Sequence, residues 1–182
     1  CPASLLHPNH GMTSPLHRFL TQSPRMQGTL AAVREAAATD YPVLLCGETG
    51  TGKDLLAREI HATSSARAGP FVEVSVGAIP DALLESELFG SSPGAFSGAT
   101  ETRTGMLRAA EGGVLYLDGI ENATPHFQRI LLRFLQDGGV RPVGATETLR
   151  VATRIVSSSI LPPDKLARQL RADFFYRLGV LQ

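Results

Sequence analysis

The hydrophobic pattern of the chain alternates between short apolar runs and stretches in which apolar residues recur every three or four positions. Runs typical of strands are VLLC (43–46), FVEVSV (71–76), VLYLD (114–118) and TLRVATRIVSSS (148–159). Helical spacing is found in RMQGTLAAVREAAAT after Pro24 and in residues 54–62, 81–89, 124–137 and 164–178. Strands separated by helices predict an α/β fold, with a mostly parallel sheet that carries helices on both faces.

The sequence TPHFQRILLRFLQDGG shows where one of these helices begins and ends. Thr124 has the short hydroxyl side chain favoured at an N-cap, and Pro125 suits the first helical position because an N–H has no partner there. Gly138 and Gly139 follow the last apolar position and predict the end of the helix.

Composition limits the kind of protein that this chain can be. The 182 residues suit one domain, and 43% of them are hydrophobic, which is enough for a sizeable core. Basic and acidic residues number 17 each, which excludes a chain that coats nucleic acid through bulk positive charge. No apolar run approaches the roughly 20 residues of a membrane-spanning helix. Cys1 and Cys46 cannot build a disulfide framework, so we expect a reducing compartment, the cytoplasm.

The first 19 residues differ from the rest of the chain. Prolines at positions 2, 8 and 15 predict an extended leader or linker, so the domain itself is expected to occupy residues 20–182. His7 and His10 lie in this leader without a cysteine or acidic partner at ligand spacing, which disfavours a metal site there.

A glycine-rich phosphate-binding loop is predicted between the first strand and the helix that follows it. Its GxxxxGK spacing is formed by Gly47, Glu48, Thr49, Gly50, Thr51, Gly52 and Lys53. Glycine lets backbone N–H groups approach phosphate oxygens, and the helix N-terminus and Lys53 add positive charge. The next residue, Asp54, stands where a Ser or Thr hydroxyl usually binds Mg²⁺, and its carboxylate is also a hard oxygen ligand. The alternative, a glycine-rich surface turn, is disfavoured by the strand–loop–helix context.

Asp118 ends the apolar run VLYLD. An acidic residue at the end of such a strand is expected beside the phosphate loop, where it is a second partner for Mg²⁺. The alternative is that Asp118 only caps the end of its strand.

Several ordered motifs resemble one family, the AAA+ central domain of bacterial sigma-54-dependent transcription activators (enhancer-binding proteins). The motifs are VLLCGETGTGKD, similar to its Walker A segment, ESELFG (85–90), GAFSGA (94–99), GGVLYLD (112–118), similar to its Walker B strand, and LRADFFYRLGV (170–180). GAFSGA differs from the family's GAFTGA loop only at Ser97 and makes the resemblance specific. The resemblance covers about residues 20–182 and implies a P-loop NTPase core of AAA+ type.

The resemblance implies a function for several residues. ATP would bind between subunits of a hexameric or heptameric ring, and Arg171 and Arg177 would reach the neighbour's γ-phosphate, where guanidinium groups stabilise developing charge. The loop that contacts sigma-54 bound to RNA polymerase would consist of Gly94, Ala95, Phe96, Ser97, Gly98 and Ala99. DNA contact would come from a domain outside this chain. A helical lid would follow the arginine segment, and the sequence ends at Gln182 before one.

Three departures from the family fall on the hydrolysis step. The family's Walker B strand ends Asp-Glu, and its Glu polarises the attacking water, whereas Gly119 follows Asp118 here. Ser75 stands where the family has an Asn that holds this Glu, and a further Asn position corresponds to Ile160, or to Ser159 if the register slips by one. Glu121 could replace the missing carboxylate, but a shift of two residues would normally misplace it. We therefore expect ATP binding with poor or absent hydrolysis.

Three functions remain open at this stage. The chain is the core of a working sigma-54 activator, a nucleotide-binding but catalytically silent regulatory relative, or a structural interaction domain with a vestigial phosphate loop. The intact GETGTGK sequence weakens the third, and the residues at 75, 119 and 160 weaken the first as an enzyme.

Overall fold

The computed structural model describes residues 23–95 and 101–179. The strands in these ranges are β1 (Val43–Cys46), β2 (Phe71–Ser75), β3 (Gly90–Ser91), β4 (Arg103–Thr104), β5 (Val114–Asp118), β6 (Gly139–Val140), β7 (Leu149–Arg150) and β8 (Arg154–Ser159). The four longer strands form a parallel sheet in the order β1-β8-β5-β2. The remaining four pair as two short antiparallel ribbons, β3-β4 and β6-β7.

The helices lie between and around these strands, as the alternating pattern predicts. In the same ranges they are α1 (Pro24–Ala37), α2 (Lys53–Thr63), α3 (Leu84–Phe89), α4 (Met106–Ala109), α5 (Pro125–Asp137), α6 (Pro163–Gln169) and α7 (Ala172–Leu178). No helix of residues 23–95 and 101–179 is long and apolar enough to cross a membrane.

Side chains of the parallel sheet pack on both of its faces, because successive residues of a strand point to opposite sides. Val114 and Tyr116 of β5 belong to a cluster with α1 and α2, whereas Leu115 and Leu117 belong to a larger cluster with α5 and α7. The predicted α/β fold with a sheet covered on both faces is therefore confirmed.

The beginning and end of α5 also match the prediction. The Thr124 hydroxyl oxygen accepts a hydrogen bond from the Phe127 N–H at 3.1 Å and donates one to Asp81 at 2.8 Å. Gly138 takes a left-handed conformation with φ of 65° and ends the helix.

The predicted strand over 148–159 is wrong in its first half, because two separate strands occupy it. Residues 151–153, between β7 and β8, form hydrogen bonds outside the parallel sheet. The Val151 N–H donates to the Gly138 carbonyl at 3.0 Å, and the Thr153 hydroxyl donates to the Leu107 carbonyl at 2.8 Å. These partners hold the segment out of line with the sheet, and β8 starts only at Arg154.

The predicted helix over 164–178 is also wrong as a single element, because it divides into α6 and α7. Leu170 is buried with extended backbone, and Arg171 is the N-cap of α7. Gln128 of α5 accepts a hydrogen bond from the Arg171 N–H at 2.9 Å, which satisfies the donor freed by the break. The helix predicted over 81–89 begins later, at Leu84, after a 3-10 turn at Asp81–Leu83.

Candidate nucleotide-binding site

The carboxyl ends of the parallel strands meet at one edge of the sheet, where ligands of open α/β sheets bind. A cavity of about 340 Å³ lies there. It is lined by Thr49, Gly50, Gly52, Lys53, Asp54, Glu73, Ser75, Tyr116, Asp118, Gly119, Glu121, Asn122, Ser158 and Ile160. The structure thus brings the predicted phosphate loop, the predicted Mg²⁺ partners and the three departures from the family into one place.

The phosphate loop connects the end of β1 to the first turn of α2, and glycine is required at two of its positions. Gly50 and Gly52 have φ of 80° and 84°, in the left-handed region that other residues rarely adopt. A Cβ on Gly47 would lie 2.9 Å from the Thr51 hydroxyl oxygen, so the loop can close tightly only around glycine. The loop leads into the first turn of α2, where the helix dipole favours anions.

Hydrogen bonds inside the loop define its shape. The Lys53 ammonium donates to the carbonyls of Gly47 at 2.8 Å and Glu48 at 2.9 Å, and the Thr51 hydroxyl donates to Glu48 at 2.7 Å. Gly47, Glu48 and Thr51 therefore shape the loop without lining the cavity, whereas Thr49 and Lys53 line it. An ammonium group beside glycine backbone suits a phosphate chain.

Asp118 stands at the end of β5 with hydroxyl groups around it. The Ser158 hydroxyl donates to Asp118 Oδ1 at 2.6 Å, and the Tyr116 hydroxyl lies 3.4 Å from the same oxygen. Burial raises the pKa of Tyr116 to about 12, so this hydroxyl remains a proton donor at neutral pH. Ser75 is the register partner of Asp118 on β2. The carboxylate therefore has one oxygen held by the protein and faces the cavity.

The residues present fit a magnesium ion that is held mainly by a nucleotide. Asp54 and Asp118 both line the cavity and offer carboxylate oxygens. The described ranges contain no cluster of three or more His, Cys, Asp or Glu residues that could hold a metal by themselves. Mg²⁺ commonly uses one or two carboxylates together with substrate phosphates, and this cavity matches that pattern.

The positions at which the sequence departs from the family also face the cavity. Gly119 has φ of 75°, and Ser75 lies across from Asp118. Of the two positions that could correspond to the family's further Asn, half-exposed Ile160 lines the cavity. The buried Ser159 hydroxyl accepts the Leu161 N–H at 3.0 Å instead. Short Ser75, apolar Ile160 and Gly119 therefore line the same cavity as the phosphate loop.

The two arginines of the last helix do not reach this cavity. Arg171 is exposed and binds Asp173 through Nε at 3.0 Å and Nη2 at 2.8 Å, the ion pairing expected of an ordinary helix surface. Arg177 is exposed in the last turn of α7. Neither arginine lines this cavity.

Only the beginning of the GAFSGA segment lies within the described residues. Gly94 has φ of 78°, and Ala95 packs closely against Gly144, where a Cβ would lie 2.9 Å from the Ala95 Cβ. The Ser92 N–H donates to the Val143 carbonyl at 2.9 Å. Residues 96–100, which include Phe96, Ser97, Gly98 and Ala99, lie outside the described residues.

Sequence reasoning missed four residues that line the cavity. They are Glu73, Tyr116, Asn122 and Ser158. The period of two along β5 could have found Tyr116, since it shares a face with Asp118. Nothing in the sequence indicated that Ser158 of β8 would hydrogen-bond to Asp118, because the strand order places residues 40 apart in contact.

Known relatives match this chain along almost all of its length. The family described as the sigma-54 interaction domain matches residues 19–182. The Nif-specific regulatory protein of Rhodobacter capsulatus is 46% identical over 168 residues, which make up 91% of this chain and 29% of that protein. The transcriptional regulatory protein GlrR of Escherichia coli is 42% identical over 165 residues, which make up 90% of this chain and 37% of that protein.

Solved structures show the same fold. NtrX from Brucella abortus has a TM-score of 0.79 at 35% identity, covering 92% of this chain and 38% of that chain. NtrX in complex with ATP also has a TM-score of 0.79, at 34% identity, covering 90% of this chain and 37% of that chain. The P-loop NTPase domain of a sigma-54 activator from E. coli, at 19% identity and a TM-score of 0.57, covers 87% of this chain and 92% of that chain and supports the fold alone.

The chain spans 29% to 37% of the length of the curated relatives described above. The family match at 19–182 and the parallel sheet with its GxxxxGK loop agree with each other. This chain belongs to the sigma-54 interaction domain family.

Proposed function

We propose that this chain binds ATP with Mg²⁺ in the cavity described above and contacts sigma-54 RNA polymerase through residues 94–99, with impaired hydrolysis. The setting is the bacterial cytoplasm. DNA contact would come from a domain outside this chain. One observation carries the proposal: the GxxxxGK loop and Asp118 line one cavity at the carboxyl edge of a parallel sheet. The related NtrX structure in complex with ATP supports the choice of nucleotide.

Binding and hydrolysis depend on different groups in this cavity. Lys53 and the loop glycines supply charge and backbone donors for phosphates, and Asp118 with Asp54 supplies oxygens for the metal. At the position of the water-polarising Glu, Gly119 has no side chain at all. General base catalysis contributes about 10²- to 10⁴-fold to a rate, so the loss leaves nucleotide binding intact while slowing turnover.

The assembly that we propose is a homo-oligomeric ring. Arg171 and Arg177 lie outside the cavity of their own chain and are exposed at the final helix. A guanidinium from a neighbouring subunit could therefore complete the site without competing with groups already in it. Arg171 would have to exchange its bidentate bond to Asp173 for the nucleotide.

Two measurements test the nucleotide part of the proposal on the full-length protein. Isothermal titration with ATP and ADP, with and without Mg²⁺, is expected to show binding at micromolar to millimolar concentrations. Phosphate release measured at saturating ATP is expected to be on the order of 100-fold slower than that of a related activator such as GlrR. Absence of nucleotide binding would leave only a structural interaction domain, and turnover equal to that of GlrR would contradict impaired hydrolysis.

The partner contact has its own test. Binding of sigma-54 RNA polymerase is measured with and without ATP for the native protein and for Phe96→Ala, which removes the aromatic group of the proposed contact loop. The matched control is Tyr41→Ala, since Tyr41 is an exposed aromatic residue that precedes β1, at the opposite edge of the sheet from the cavity. Loss of polymerase binding in Phe96→Ala alone supports the proposal, and equal loss in both variants contradicts it.

A further inference from the structure

The turn after β5 contains a carboxylate that the functions described above do not use. Glu121 lies in a 3-10 turn, Ile120–Asn122, directly after Gly119. It lines the nucleotide cavity together with Lys53 and Asp118. Its Oε2 atom is buried and has no hydrogen-bond partner among the described residues. A carboxylate oxygen left without a partner in a cavity is available to a ligand or a water molecule.

The Glu121 carboxylate lies close to the place where a side chain on residue 119 would begin. A Cβ built on Gly119 would lie 3.8 Å from Glu121 Oε1 and 3.0 Å from Asn122 Nδ2. A side chain at position 119 would therefore enter the space that Glu121 and Asn122 now occupy. The left-handed turn at Gly119 brings the carboxylate of residue 121 back toward position 119, even though it is two residues further along the chain.

The backbone of the turn is held at several points, which fixes the place from which the Glu121 side chain extends. The Glu121 carbonyl accepts a hydrogen bond from the Gln169 side chain of α6. Asn122 Nδ2 donates to the Gly119 carbonyl at 3.2 Å, and Ile120 is fully buried beneath the turn. General base catalysis requires this kind of fixed placement, because a carboxylate that moves by about 1 Å loses much of its effect.

Glu121 lies within electrostatic range of the residue that precedes the phosphate loop. Cys46 ends β1, directly before that loop. Burial raises the pKa of its thiol, the negative charge of Glu121 raises it further, and Lys53 lowers it. Glu121 and Lys53 therefore both act on the residue from which the phosphate loop starts.

We propose that Glu121 is the general base of the slow ATP hydrolysis by this chain, in place of the glutamate that position 119 lacks. The inference rests on the proposed function, since it requires ATP in the cavity. The water oxygen forms a bond to the γ-phosphorus, and the bond from that phosphorus to the β–γ bridging oxygen breaks. The bonding electron pair leaves with ADP, and the water proton passes to the Glu121 carboxylate. The net reaction converts ATP and water into ADP and phosphate.

The test compares Glu121→Gln with the native full-length protein. The substitution keeps the size of the side chain and removes its ability to accept the proton. Single-turnover phosphate release is expected to fall at least about 100-fold, while the dissociation constant for ATP stays within about twofold. The matched control is Glu111→Gln, an exposed carboxylate that precedes β5 at the opposite edge of the sheet, with phosphate release unchanged.

A pH profile gives a second readout that a merely structural role would not produce. Phosphate release by the native protein is expected to depend on pH, as general base catalysis does, and Glu121→Gln is expected to lose this dependence. Native-like release from Glu121→Gln, or no release from the native protein, overturns the inference while ATP binding still supports the proposed function. Loss of ATP binding by the native protein overturns the proposed function itself.

Discussion

The phosphate loop and the turn after β5 both line the cavity but differ in how closely they match the family. Both rely on left-handed glycines, Gly50 and Gly52 in the loop and Gly119 in the turn. The loop has the complete GxxxxGK motif, with Lys53 bound to the carbonyls of its own backbone. The turn replaces a glutamate by Gly119 and places Glu121 nearby.

Under the proposed function, holding a nucleotide and cleaving it are properties of separate segments. Phosphate affinity would come from backbone N–H groups, a helix N-terminus and Lys53, all of which belong to the β1–α2 connection. Water activation needs a carboxylate from the β5–α5 connection. A chain can therefore retain one segment in full while the other changes, and variants at each segment should affect different measurements.

The largest effect is expected for Lys53→Ala. It removes a charge-assisted hydrogen bond to phosphate, which is worth roughly 1.5–3 kcal/mol, so the dissociation constant for ATP should rise by about 10- to 150-fold. Isothermal titration measures it. Lys165→Ala is the control, because it removes the same charge from an exposed position on α6 outside the cavity. Unchanged affinity in Lys53→Ala would mean that the loop does not bind the phosphates.

The turn should respond to substitution through stability rather than affinity. Gly119→Ala puts a Cβ on a backbone with φ of 75°, 3.0 Å from Asn122 Nδ2. The expected loss in the free energy of unfolding is about 1–2 kcal/mol, measured by urea denaturation. Gly28→Ala is the control, because Gly28 lies in α1 with nothing within 4 Å of an added Cβ, and it should stabilise by about 0.5–1 kcal/mol. Equal stability of both variants would contradict the strain at Gly119.

Local patterns predicted most of the fold, and the failures have a common cause. The strands β1, β2 and β5 and the ends of α5 follow from apolar runs, a Thr N-cap and glycines, all of which are short-range signals. The break between α6 and α7 was missed because Gln128 supports it from another helix. The break before β8 was missed because residues 151–153 hydrogen-bond to Gly138 and Leu107. The hydrophobic periodicity of the sequence does not reveal such partners.

The cavity residues also divide into those that local sequence motifs predicted and those that depend on contacts between distant segments. The phosphate loop and Asp118 were predictable because their motif is contiguous and each strand end lies at one edge. The hydroxyl groups around Asp118 were not, because Ser158 reaches it only through the β5–β8 pairing. Glu121 was identified in the sequence but expected to be misplaced, and only the left-handed Gly119 shows that its carboxylate returns toward position 119.

The smallest effect should come from Ser158→Ala, which separates metal binding from phosphate binding at the turn. Ser158 donates to Asp118 Oδ1 at 2.6 Å, a bond to a charged group that orients the carboxylate. Its loss should weaken Mg²⁺·ATP binding by about three- to tenfold and leave ATP binding in EDTA unchanged, since Asp118 matters only when a metal is present.

Ser157→Ala is the matched control for Ser158→Ala on the same strand. Its hydroxyl bonds to the Val43 carbonyl at 3.3 Å, so its loss should lower stability by about 0.5–1.5 kcal/mol without changing either affinity. An equal loss of ATP affinity with and without Mg²⁺ in Ser158→Ala would contradict this assignment. Asp118 would then act on the phosphates themselves, and phosphate binding would not belong to the loop alone.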